Sequence, residues 1–187
     1  MKKLIVLLCI LMFFTGCGKA SDTEIKRMDP TTNFAAADTK DSALADGSTN
    51  KEGFSFVYNQ VVIPMNVDAA PIVKTLGEPI DYFEAASCAF QGLDKQYYYN
   101  GFELGTYPKG DQDFVSYVNL QDDTVSTDQG IALGSTLEEL LAAYGKDYTQ
   151  EGTSYVYKKG ETKLTFIVEE DTVTQITYGA IVEGLNN

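Results

Sequence analysis

Two stretches of this chain, Ile63 to Gly77 and Ile131 to Gly145, align without a gap. Ile63 meets Ile131, Met65 meets Leu133, Ile72-Val73 meets Leu140-Leu141, Leu76 meets Tyr144 and Gly77 meets Gly145. Only the first and last of the fifteen positions are identical, so the apolar spacing and the closing glycine carry the repeat. The spacing is helical: Leu137, Leu140, Leu141 and Tyr144 fall on one face of a 3.6-residue period. Ser135-Thr136-Leu137-Glu138 reads as a capping box, the Ser135 hydroxyl taking a free amide and Glu138 reaching back. Gly145 supplies the left-handed stop. In the first copy Asp68 is the expected cap, and Pro71 falls in the first turn, where amides lack intrahelical partners. Ile72, Val73 and Leu76 form its buried face, and Gly77 ends it.

Strand patterns follow each helix. In the second copy they are Ser154 to Tyr157, Lys163 to Val168 and Thr172 to Tyr178, with Leu164, Phe166 and Val168 in clean alternation. In the first they are Gln96 to Tyr99, Phe102 to Tyr107, Phe114 to Leu120 and Thr124 to Thr127. Asp122-Asp123-Thr124-Val125 aligns with Glu170-Asp171-Thr172-Val173. A helix and then antiparallel strands, twice over, predicts an α+β fold. Its form is two tandem helix-plus-antiparallel-sheet modules, 54–128 and 129–187, with the helices on one face of the sheet.

At the start of the chain, Lys2 and Lys3 precede an apolar run from Leu4 to Phe14, followed by Thr15-Gly16-Cys17. The run is shorter than the ~20 residues that cross a bilayer. A basic start, a short apolar centre and small residues describe a secretory signal over residues 1–16. Ending on cysteine, the segment resembles the lipobox of bacterial lipoproteins. That resemblance implies cleavage before Cys17 and lipid on its sulfur and new amino terminus. The protein would then be extracytoplasmic and lipid-anchored to the cell membrane. Residues 17–53 are small and polar with few large apolar side chains, and read as a flexible tether.

Composition excludes whole classes of chemistry. The chain has no histidine, which removes Ser-His-Asp and Cys-His nucleophilic schemes and His-ligated metals. With Cys9 in the signal and Cys17 lipidated, only Cys88 is left, so no internal disulfide is possible. Its apolar setting, Ser87-Cys88-Ala89-Phe90, reads as a buried, inert thiol. Residues 1–16 hold two of the 14 basic residues and none of the 27 acidic ones, so their removal takes the net charge from −13 to −15. Such a field argues against nucleic acid as a partner.

The repeat resembles the small lipoprotein modules of the SmpA/OmlA type and the β-lactamase-inhibitor-protein-like fold. The matching residues are Gly134 to Leu141, Gly145, Tyr155-x-Tyr157, Leu164-Thr165-Phe166, Asp171-Thr172-Val173 and Leu76-Gly77-Glu78-Pro79. Ser87-Cys88-Ala89-Phe90 through Asp94-Lys95 to Tyr107-Pro108 is also similar to uncharacterised lipoproteins of Gram-positive bacteria. The resemblance implies an envelope assembly or protein-binding element and transfers no inhibitory residue.

Tyr97, Tyr98, Tyr99, Phe102 and Tyr107 form the candidate binding cluster, because Tyr joins apolar area to a polar tip. Neighbours on a strand face opposite ways, so Tyr98 lies across the sheet from Tyr97 and Tyr99. The acidic groups Asp111-x-Asp113, Asp122-Asp123 and Glu169-Glu170-Asp171 lack the spacing of a calcium loop and read as solvated turns. No motif implies a cofactor, metal or catalytic residue. The expectation is therefore a membrane-anchored, non-enzymatic module that binds an envelope protein or wall polymer. A carboxylate- or Tyr-based secreted hydrolase and a β-lactamase-type inhibitor are the alternatives.

Overall fold

The computed structural model describes residues 53–185. The expected signal segment, Cys17 and all of the tether but Gly53 lie outside the described residues. Strands β1 (Ser55–Tyr58) and β2 (Val61–Pro64) form a hairpin, followed by helix α1 (Ala70–Leu76). Then come β3 (Asp81–Ala86), β4 (Leu93–Tyr99), β5 (Phe102–Lys109) and β6 (Gln112–Leu120). Helix α2 (Leu137–Tyr144) leads into β7 (Thr149–Glu151), β8 (Ser154–Lys159), β9 (Thr162–Glu169) and β10 (Thr172–Ala180). The last eight strands form one antiparallel sheet in the order β3-β4-β5-β6-β10-β9-β8-β7.

This overturns the α+β expectation of two tandem helix-plus-antiparallel-sheet modules. The fold is mostly antiparallel sheet, and its two described helices have only seven and eight residues. Strand β6 pairs with β10 from Leu120↔Ile176 to Tyr117↔Gly179, so both stretches build one sheet. Separate modules would leave β6 and β10 as edges with unpaired amides and carbonyls, and their ladder removes both edges. Two-turn helices are too short to form a layer of their own.

Turn chemistry explains the strand-rich outcome. Two-residue links join β1–β2, β4–β5, β5–β6, β7–β8, β8–β9 and β9–β10. The first is Asn59-Gln60 and the last Glu170-Asp171, with both residues of each pair at positive φ, the twist that suits tight hairpins. Three elements escape the periodicity reading: the short β1–β2 hairpin, β3 and the three-residue β7. Thr124 to Thr127, expected as a strand, is a loop. The Asp122 carboxylate accepts the Thr124 amide at 2.9 Å and bends the chain there. The turn that closes β5 onto β6 is Gly110-Asp111, so the Asp122-Asp123 alignment with Glu170-Asp171 does not hold.

One face of the sheet carries the core. Phe56 of the hairpin packs on Phe102 and Tyr178, ring centroids 5.1 and 5.7 Å apart. Ile63 and Met65 are fully buried behind it, with Ile72 from α1 and Leu140 from α2 in the same cluster. Sheet residues Leu104, Val118, Leu164, Phe166 and Ile176 complete it. The α2 capping box lies one residue beyond its expected place. Thr136 Oγ1 accepts the Glu139 amide at 3.2 Å and Glu139 accepts the Thr136 amide at 2.8 Å. Ser135 is spent earlier, accepting the Ala132 amide. Helix α1 has Ala69 at its N-cap with no side-chain cap, and Asp68 accepts the Ala70 amide at 3.0 Å. Cys88 is exposed, against the buried thiol expected. Phe90, packed 5.1 Å from the Tyr107 ring, anchors that loop instead. Among the described residues no helix is long and apolar enough to cross a membrane.

Candidate binding face

The register places side chains of the opposite face in rows. Asp81, Tyr98, Glu103, Asn119, Thr177, Thr165, Val156 and Thr149 pair strand to strand across all eight strands. The adjacent row runs Phe83, Gln96, Gly105, Tyr117, Gly179, Lys163 and Lys158. These positions alternate with core residues, so they face away from the hairpin and helices. Gln96, Tyr98, Glu103, Tyr117, Asn119, Thr165 and Thr177 are all half-exposed. At ~4.8 Å between strands, the first row extends roughly 34 Å.

The middle of this face is hydrogen-bonded to itself. Gln96 Nε2 donates to the Tyr117 hydroxyl at 2.9 Å, and Tyr117 donates to Glu103. Gln121 Nε2 reaches the other Glu103 oxygen at 3.3 Å, and the Tyr98 hydroxyl reaches Gln96 Oε1 at 3.4 Å. Next door, Thr177 donates to Asn119 Oδ1 at 3.0 Å and accepts from Gln175 Nε2 at 3.2 Å. A connected polar set of this kind fixes its members' rotamers.

Glycine makes the arrangement possible. A Cβ on Gly105 would stand 2.1 Å from Tyr117 Cε1, so the ring occupies the space that a side chain there would need. The register shifts between Gly105 and Thr106, and Ser116 is the extra residue on β6. Such a shift re-aims the neighbouring side chain. Burial pushes the Tyr117 phenol up, reinforced by its bond to Glu103, and burial with the Glu103 and Asp81 charges raises Tyr98. Both stay neutral donors at ordinary pH. The described residues hold seven lysines and twenty carboxylates. The two rows hold two of each, Asp81 and Glu103 against Lys158 and Lys163. These two rows are electrically balanced within an acidic domain.

The expected cluster is split by the sheet. Tyr99, Phe102 and Tyr107 are buried: Tyr99 stacks on Phe102 at 5.1 Å, and the Tyr107 hydroxyl donates to Asn66. They are structural, because Phe102 sits under the hairpin against Phe56 and Tyr58. Tyr97 is half-buried on the core side beside Tyr82, and Tyr98 alone lies on the open face. Residue-by-residue reading missed Gln96, Glu103, Tyr117, Asn119 and Thr177, which only the strand register brings together. The available signals were Gly105 inside a strand and polar residues at alternate positions.

Two other places were weighed. A cleft of about 740 Å³ lies between the hairpin and α2, lined by Phe54, Val62, Asp128, Tyr144, Tyr157 and Lys158 among others. There the Tyr144 hydroxyl donates to Asp128 at 3.0 Å, and burial raises the Tyr144 phenol. On the core side of the first strands, Lys95 Nζ pairs with Asp113 at 2.7 Å. The hydrogen bond to Asp113 raises the ammonium pKa. The first is a hydrogen bond to a carboxylate and the second an ion pair. Among the described residues no three His, Cys, Asp or Glu side chains gather as a metal site.

Neither a family model nor a curated protein matches this chain. Among solved structures, it is similar to a DUF4309 family protein (YjgB) from Bacillus subtilis subsp. subtilis str. 168. The two are 18% identical, and the match covers 61% of this chain and 78% of that one with a TM-score of 0.37. A likeness that distant supplies no argument about this chain's fold or function.

Proposed function

We propose that this protein is a membrane-anchored extracytoplasmic lipoprotein, and that the open sheet face is its binding surface for an envelope protein or wall polymer, without catalysis. The observation that carries the binding role is the row of side chains crossing all eight strands, with its middle locked by mutual hydrogen bonds. A surface so ordered loses little side-chain entropy on binding. Three carboxylates of the sheet and its cleft, Glu103, Asp113 and Asp128, are engaged by Tyr117, Lys95 and Tyr144, which suits recognition better than proton transfer. The segment from Lys2 to Cys17 supports the anchor.

Both parts are tested in one experiment. The full chain is expressed in a Gram-positive host fed labelled fatty acid, and envelope and soluble fractions are compared. Label and envelope location should be lost in Cys17→Ser. Retention of the unanchored protein on washed envelopes should fall in Tyr117→Ala. A Cys17→Ser protein that still takes up label would contradict the anchor. Retention indifferent to Tyr117→Ala would contradict the face.

A further inference from the structure

We propose that the open edge of β3 takes up an extended, cationic peptide segment of a partner protein, which pairs with it as a ninth strand of the eight-stranded sheet. That sheet ends in β7 on one side and in β3 on the other. The β7 edge has three residues, whereas β3 has six. On its inner side β3 pairs with β4 without a break in register. The Ser87 amide donates to the Gly92 carbonyl at 3.0 Å, continuing the line from Ala86↔Leu93. Antiparallel residues turn alternately toward and away from their neighbour, so Asp81, Phe83 and Ala85 bond to β4. Tyr82, Glu84 and Ala86 then turn their amides and carbonyls outward. Among the described residues no other strand bonds to them. Such a row is a template for a further strand, and it fixes the occupant's backbone as extended.

The side chains select the charge. Proline, lysine and bulges commonly blunt an exposed edge, and β3 has none of them. Carboxylates guard it instead. The Asp81 side chain accepts the Tyr82 amide at 2.9 Å and so occupies one outward donor. On the other face Glu84 accepts the Tyr82 hydroxyl. From Gly77 to Tyr98 the chain carries four carboxylates and one lysine, Lys95, which is paired with Asp113. A second copy of this chain would set those carboxylates against their own image, and like charges opposite one another weaken a ladder. A strand that carries lysine or arginine meets the reverse.

A cation opposite Asp81 draws the carboxylate off the Tyr82 amide, which is then free to donate to the new strand. A second cation opposite Glu84 pairs on the other face. Between them Phe83 is exposed, on the same face as Asp81, and takes an apolar side chain. The pattern that fits is two cations three positions apart, as Asp81 and Glu84 are, with an apolar residue opposite Phe83. The guard thus excludes neutral and acidic strands and admits a basic one.

The test uses the full chain as Cys17→Ser and the peptide fluorescein-Thr-Thr-Lys-Val-Thr-Lys-Val-Thr-amide, read by fluorescence anisotropy and by amide hydrogen exchange. Saturable binding is expected, with the Glu84 and Ala86 amides exchanging freely in the free protein and protected in the complex. Replacing both peptide lysines by glutamate should abolish binding. Two forms of the peptide, methylated on alternate backbone amides in one phase or the other, should differ about tenfold, because only one phase faces β3. Glu84→Pro removes an outward amide and leaves the β4 ladder whole, so it should weaken binding more than Glu84→Gln, with melts confirming the fold. No saturable binding, binding without protection of Glu84 and Ala86, or equal affinity for the two methylated forms overturns the proposal. So does protection of those amides in the free protein, which would give the edge to a second copy if it rises with concentration and to this chain's own residues if it does not.

Discussion

Strands β3–β6 and β7–β10 are built alike and used differently. In each half the segment before the helix is tied by backbone hydrogen bonds to the half's closing strand, Asn66 and Val67 to Val115, Gly134 and Ser135 to Val173. In each, a core tyrosine hydroxyl reaches the carbonyl of the helix-ending glycine, Tyr157 to Gly145 at 2.9 Å and Tyr99 to Gly77 at 3.4 Å. The differences lie in the side chains. Strand β9 alternates buried and half-exposed residues without a break, and α2 has a full capping box. Strand β4 is half-exposed along most of its length, β5 meets β6 through a register shift, and α1 has no side-chain cap. The second half is given mainly to the core and adds Thr177 of β10 to the polar set. The first serves both faces more fully, with core packing on one side and most of the hydrogen-bonded polar set on the other. Irregular alternation there marks a second task.

The comparison can be broken most forcefully through the shared core. Phe102→Ala in the first half and Phe166→Ala in the second, both fully buried, should each cost about 3–5 kcal/mol. Because β6 and β10 join the halves, urea unfolding followed by circular dichroism should stay a single transition in both variants. Two transitions would mean that the halves fold apart.

Alkaline pH probes the matched tyrosines. Burial pushes both Tyr99 and Tyr157 up to about 12. A folded pKa above the unfolded value near 10 gives stability that is whole below pH 10 and is lost as pH rises from 10 to 12. Phenolate absorbance should therefore appear with unfolding, and Tyr99→Phe and Tyr157→Phe should each reduce the steepness of that loss. Early ionisation of either residue in folded protein would contradict its burial.

Gly105→Ala should cost about 1–3 kcal/mol, because a Cβ there runs into the Tyr117 ring. Gly152→Ala, at positive φ with open space around it, should cost about 1 kcal/mol and leave binding unchanged. Equal binding in both variants would dissociate the glycine from the face.

The smallest effects concern helix starts. Thr136→Ala should cost about 1 kcal/mol, and Asp68→Ala less, since α1 is not capped by that residue. Hydrogen bonds from the Thr136 amide and then its hydroxyl lower the Glu139 pKa. Its stabilisation is present above the unfolded pKa and is lost as pH falls through the lower folded value. Glu139→Gln should therefore close its stability gap with the wild type on acidification, read from melts at several pH values.

Both helices, their closing glycines and most strands of the second half were legible in the sequence, because each depends on residues within a turn or two. Strand β3 was not, since Asp81-Tyr82-Phe83-Glu84 shows no simple alternation. The continuous sheet was hidden because Leu120↔Ile176 is a long-range pairing that no local pattern encodes. The same reason concealed the face. Tyr117 and Glu103 are fourteen residues apart and meet only through the β5–β6 register. The Tyr97-Tyr98-Tyr99 run stood out by composition, yet contributes one ring to that face.

Hydroxyl-radical footprinting of the full chain, with and without purified envelope, tests the open face most directly. Tyr58, Tyr98, Tyr117 and Tyr148 are all half-exposed and should react in the free protein. Bound protein should show Tyr98 and Tyr117 shielded, with Tyr58 and Tyr148 oxidised as before. Shielding at Tyr58 or Tyr148 with Tyr98 and Tyr117 still reactive would move binding off this face and contradict the account.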